Sequence, residues 1–134
     1  MVLERDNKRE NYCKAVACLH EALKEYGGHS SETMRDGVIQ WFEFATELAW
    51  KACREYLSDL GYAEVNGPKT VMREAFAHGM VADGEAWIRI LTDRNLTSRV
   101  YKKQTANEIF DHIRTEYMEQ FDALVRYFRN MQVE

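Results

Sequence analysis

Met34-Arg35-Asp36-Gly37-Val38-Ile39-Gln40-Trp41-Phe42-Glu43-Phe44-Ala45-Thr46-Glu47-Leu48-Ala49-Trp50-Lys51 decides the fold. At about 100° per residue, Asp36, Gln40, Glu43, Glu47 and Lys51 fall on one narrow strip that Arg54 and Ser58 continue. Most of the remaining circumference is apolar or aromatic. A helix dry on most sides is either central in a large core or shared between a core and a partner. A chain of 134 residues has no deep centre. The excess, with Trp41, Phe44 and Trp50 as its candidates, therefore reads as a dimer or partner interface, the alternative being a bulky bundle core that absorbs it. Within the polar strip Glu43, Glu47 and Lys51 form an i, i+4, i+8 ladder, the ordinary pattern of a solvated, salt-bridged face.

The flanking sequence is helical on both sides. Tyr12, Val16, Leu19, Leu23 and Tyr26 make one apolar stripe over about residues 3–26, which Gly27-Gly28 ends. A polar loop, His29 to Thr33, leads into the central helix, about 34–60, and Gly61 closes it. Pro68 opens a short helix that stops at Gly79, and Asp83 caps another over about 84–92 carrying Trp87, Ile90 and Leu91. Ala106, Phe110, Ile113, Tyr117, Phe121, Leu124, Phe128 and Met131 form the row of a last helix, about Thr97–Asn130, roughly 50 Å long. The fold class is all-α. Three long helices and two short ones make an antiparallel up-and-down four-helix-type bundle, with the short pair as the fourth side, in one domain over residues 1–134.

A 46% hydrophobic, 30% charged composition is that of a globular chain. No apolar run approaches the ~20 residues of a membrane span. The charged first ten residues lack a following signal core, and the expected location is the cytoplasm. Cys13, Cys18 and Cys53 sit in helical apolar patterns without a CxxC, so they read as buried, reduced side chains. The four histidines show no ligand spacing; neither a metal nor a cofactor is expected.

One stretch stands out chemically. Between Arg89 and Lys103 five Lys/Arg face one Asp, a local charge of +4 in a chain whose net charge is −4. That balance excludes generic coating of nucleic acid and makes any such contact local. The run Arg94-Asn95-Leu96-Thr97-Ser98-Arg99-Val100-Tyr101 offers cations, an amide, hydroxyls and a phenol where the last helix is expected to begin and to add its own N–H donors. Arg94 reads as a bidentate phosphate contact or as a salt bridge to Asp93 or a bundle carboxylate. Asn95 reads a base edge or caps a turn, and Thr97 or Ser98 caps the last helix.

Four ordered segments carry a family resemblance: Ile39–Lys51, close to the signature IQRFEFTFELAWK; Pro68–Phe76; Trp87; and Arg94–Ser98. Together they resemble the nucleotidyltransferase substrate-binding proteins, a branch of the HEPN (higher eukaryotes and prokaryotes nucleotide-binding) superfamily, over about residues 10–130. The resemblance implies a helical bundle that homodimerises and pairs with a separately encoded minimal nucleotidyltransferase. The helical chain would bind substrate, a nucleotide or RNA included, and the partner would supply the chemistry. In related toxin–antitoxin pairs the HEPN chain is instead a metal-independent ribonuclease with an R-x4-H-x-Y motif, silenced when the partner adenylylates the motif tyrosine.

Here the histidine position holds Arg99, while Arg94 and Tyr101 are present. Histidine serves there because a pKa near 6.5 lets it take and return a proton. Arginine stays protonated, so it stabilises phosphate charge without acting as a base. Arg99 either extends the basic site or marks drift after catalysis was lost. His112, about 220° round the expected last helix and ~20 Å along it, is a poor substitute. The chain is thus read as a non-catalytic subunit binding substrate through Arg94, Asn95, Ser98 and Arg99. Tyr101 is an adenylyl acceptor, a stacking ring or a half-buried phenol, and the ribonuclease toxin is the alternative.

Overall fold

A computed structural model describes residues 4–28, 30–62, 66–97 and 102–133. The chain is a helical bundle, and no strand occurs among the described residues. Helix α1 (Glu4–Gly28) pairs along most of its length with α2 (Glu32–Asp59). Helices α3 (Pro68–Ala77) and α4 (Gly84–Thr97) pack on each other and on α2. The last helix is built from α5 (Lys103–His112), a π-helical turn over Ile113–Tyr117, and α6 (Met118–Val133). Its first part packs on α2 and its last part on α1.

The element ends follow local chemistry. Ser31, extended at φ −160°, caps α2 by accepting from the Met34 amide at 3.1 Å. At the other end Gly61, with φ 100°, lets its own N–H reach the Ser58 carbonyl and that of Tyr62 reach Leu57, a reciprocal C-terminal cap. Gly79 does the same for α3, with Met80 N–H reaching Ala75. Asp83 Oδ1 accepts from the Ala86 amide at 3.0 Å and starts α4.

The apolar rows converge on an aromatic centre. Phe42 of α2 stacks on Tyr117 with centroids 5.8 Å apart and meets Phe121 edge-on at 6.0 Å. Trp87 of α4 closes on Phe121 at 5.4 Å, and the Tyr12 hydroxyl of α1 donates to the Phe121 carbonyl at 2.8 Å. Each fully buried ring of this kind contributes roughly 1.5–3 kcal/mol. Cys13 and Cys53 are buried free thiols, and Cys18 is half-buried. Burial pushes the Cys53 thiol up to about 12.

Two expectations of the helix layout fail. Helix α4 does not stop near residue 92 but runs to Thr97, and the last helix begins at Lys103, not Thr97. Thr97 lies in α4 and does not cap the last helix; its hydroxyl donates back to the Arg94 carbonyl at 2.7 Å. Arg94 therefore sits at a helix C-terminus, where a cation complements the dipole. The N–H donors that open the last helix belong to Lys103 and the residues after it, not to Thr97.

Candidate functional site

Helix α4 turns Arg94 onto the polar strip of α2. Its Nη1 lies 3.4 Å from Glu43 Oε2 and its Nε 3.4 Å from Glu47 Oε1. The Nε is enclosed yet makes no hydrogen bond. Glu47 is the hub of this cluster: its second oxygen accepts from Trp50 Nε1 at 3.2 Å, and Lys51 Nζ stands 3.9 Å away. The ladder read as a solvated face is thus partly covered, because α4 lies over two of its rungs.

Arg94 and Glu47 form a wall shared by two adjoining clefts. One, of about 440 Å³, adds Gln40, Phe44, Leu48 and Lys51 to them. The other, of about 270 Å³, adds Pro68, Lys69, Thr70 and Asn95. Residues from three of the four resemblance-bearing segments therefore meet here. Trp87, from the remaining segment, goes to the core.

The basic island is largely engaged. Arg89 pairs with Glu116, Arg94 with Glu43 and Glu47, and Lys103 with Glu32 at 2.8 Å. The Lys103 hydrogen bond holds the Glu32 carboxyl below its ordinary value. Ser98, Arg99 and Tyr101 lie outside the described residues. On the outer side of α2, Trp41 is 37% exposed and Phe44 57%, their rings 5.9 Å apart. Trp50 is half-buried, packs on the core and carries the Arg54 guanidinium 5.0 Å above its ring.

A second cluster had no signal in the sequence. Asp93 Oδ2 accepts from the Tyr117 hydroxyl at 2.6 Å and lies 2.8 Å from His112 Nδ1. The Asp93 side chain is 13% exposed and that of His112 50%. Burial first, then the hydrogen bond to Asp93, raises the Tyr117 phenol far above its ordinary value. The reading of His112 as a poor substitute for the histidine position at Arg99 assumes one helix from Thr97 through both, whereas the last helix begins at Lys103. His112 packs against Asp93, the residue preceding Arg94. An imidazole donating from Nδ1 to a carboxylate carries its lone pair on Nε2, the arrangement that orients a proton-accepting histidine.

This chain matches the family described as nucleotidyltransferase substrate binding protein like over residues 7–130, and it belongs to that family. A crystal structure of a Thermus thermophilus protein is similar, with 30% identity and a TM-score of 0.73, covering 87% of this chain and 98% of that one. A Haemophilus influenzae structure, reported as revealing the fold of a substrate binding domain of a nucleotidyltransferase, shares the fold. Its TM-score is 0.77 at 22% identity, over 90% of this chain and 98% of that one. A Haemophilus influenzae protein described as a probable ribonuclease HepT is 32% identical over 89 residues. That match spans 61% of this chain and 59% of the relative.

Proposed function

We propose that this chain is the substrate-binding subunit of a two-component nucleotidyltransferase: it dimerises, docks a separately encoded minimal nucleotidyltransferase, and holds substrate in the groove between α2 and α4. The observation that carries this reading is the convergence of Glu43, Glu47 and Lys51, Pro68 to Thr70, and Arg94 with Asn95 around two adjoining clefts. Arg94 grips the anionic part of the substrate with the donors that its glutamates leave over, and Asn95 stands beside it; Ser98 and Arg99 extend the same site. Catalysis belongs to the partner. Trp41 and Phe44 form the apolar centre of the dimer or partner surface, with Trp50 behind them.

Light scattering on the purified chain, alone and with the minimal nucleotidyltransferase of its own genome, tests this. The free chain should weigh twice 15.8 kDa and shift to a larger complex on mixing. Arg94→Ala should leave assembly intact and slow nucleotidyl transfer by about tenfold to a hundredfold, the loss of a charge-assisted contact. A monomer whose presence leaves the partner's transfer rate unchanged sinks the reading.

One observation favours a second reading, RNA cleavage: His112 held by Asp93, the residue before Arg94 in the chain, in a chain similar to a probable ribonuclease. His112 Nε2 would take the proton of a 2′-hydroxyl as its oxygen attacks the neighbouring phosphorus and the 5′-oxygen leaves, protonated by water. RNA incubated with the protein in a chelator should then be cut, and His112→Ala should lose at least ~100-fold of that rate. Equal cutting by wild type and variant, or none by either, removes this reading.

A further inference from the structure

The side of the last helix that faces the end of α1 is polar where a bundle interior would be apolar. Asn107, Phe110, Asp111 and Arg114 follow one another at helical spacing, and of the four only Phe110 is buried. Across from them stand Leu23, Tyr26 and Gly27 of α1, and the cleft between holds about 660 Å³. It shares no residue with the clefts of the α2–α4 groove.

The polar groups of this cleft have capacity to spare. The buried Arg35 guanidinium donates to Asn107 Oδ1 at 2.8 Å. A guanidinium has no acceptor, so it fixes the amide oxygen towards itself and leaves the Asn107 N–H donors for another partner. Arg114 Nη2 donates to Asp111 Oδ1 at 2.9 Å. The two side chains are 56% and 60% exposed, and an ion pair in such a setting contributes little to stability. Arg114 keeps further N–H donors, and Asp111 keeps its second oxygen. The apolar part of the cleft is Leu23 with the rings of Tyr26 and Phe110, whose centroids are 4.5 Å apart.

The charges select the ligand. One cation and one carboxylate leave the cleft neutral, and α1 ends beside them at Gly27 and Gly28, presenting the negative pole of its dipole. A simple anion drawn to Arg114 meets Asp111 and that pole, and a simple cation drawn to Asp111 meets Arg114. A molecule with both charges close together satisfies both sides. Its carboxylate takes Arg114 and the Asn107 N–H donors, and its ammonium takes Asp111 and the end of α1. We infer that this cleft binds a zwitterionic α-amino acid with a large apolar side chain, which lies against Leu23, Tyr26 and Phe110. Asp111 and Arg114 exchange their mutual contact for the two charges of the ligand.

Titration of the purified full chain, followed by backbone amide NMR shifts, tests this with L-phenylalanine, 3-phenylpropionate, phenethylamine and L-alanine. L-phenylalanine should shift amides within residues 23–27 and 107–114, the two walls of the cleft. It should bind at least ~10-fold more tightly than each of the other three, which lack the ammonium, the carboxylate and the apolar side chain in turn. Arg114→Gln should weaken L-phenylalanine about tenfold and leave phenethylamine, which has no carboxylate to lose, unchanged. Asp111→Asn should weaken L-phenylalanine by a similar factor and leave 3-phenylpropionate no weaker. Equal binding of L-phenylalanine and both singly charged analogues overturns the proposal and leaves only an apolar cleft. Absence of L-phenylalanine binding, or shifts confined to other parts of the chain, overturns it as well. So do variants that weaken all four compounds alike, since that reports altered packing and not a matched charge.

Discussion

Tyr12, Cys53 and Tyr117 keep their protons because the fold removes them from water. Burial is the leading cause of the upward shift in all three. Each folded value lies above the ordinary one, so the neutral form is the one that folding favours. The unfolded chain gives up these protons first as pH rises. Their contribution is complete below the ordinary thiol value of 9.0 and is lost towards the folded value of about 12 for Cys53. Urea midpoints should accordingly hold steady from neutrality to about pH 9 and fall steeply above it. Cys53→Ala should lower stability throughout by leaving a small cavity, yet flatten the fall between pH 9 and 10. An unchanged slope in that variant refutes the assignment. The same scale shows how far the site was legible. Arg94 stands out as a cation in a rare setting, and a bundle carboxylate was one of its two readings. Which carboxylates hold it depends on how α4 lies across α2, and no local pattern encodes that.

At the scale of elements, the helices with long apolar rows were readable and their junctions were not. The rows of α1 and of the last helix run as the 3.6-residue period requires, and every member from Tyr12 to Leu19 and from Ala106 to Phe128 is buried. The π-helical turn at Ile113–Tyr117 left no mark, since it exchanges one hydrogen-bond register for another without a special residue. It carries Glu116 and Tyr117 against Arg89 and Asp93 of α4, with His112 just ahead of it. The α3–α4 corner makes a sharper prediction. A Cβ on Gly84 would stand 3.0 Å from Phe76 Cγ and 3.2 Å from its Cβ. The near end of that side chain cannot swing clear as its outer ring can. Gly84→Ala should cost about 1–2 kcal/mol in urea unfolding. Adding Phe76→Ala, at a residue 51% exposed, should recover most of it. Additive losses in the double variant would mean that no steric conflict exists.

Across the whole molecule, the amino-acid sequence by itself determined the all-α class, the helical bundle, the inward rows, the helix ends at Gly61, Pro68, Gly79 and Asp83, and the family. These rest on forces acting within a turn or two of the chain: the period of a helix, the unpaired groups at its ends, and the fixed or permissive backbone of proline and glycine. Only the tertiary structure decided that α4 continues to Thr97 and that Glu43 and Glu47 receive Arg94. It alone placed His112 on Asp93 and joined two clefts across one ion-paired wall. Those outcomes depend on the distance and angle between helices far apart in the chain. Packing sets that geometry through the shapes of Phe42, Trp87, Tyr117 and Phe121 taken together, and a contact of this kind has no period to be read.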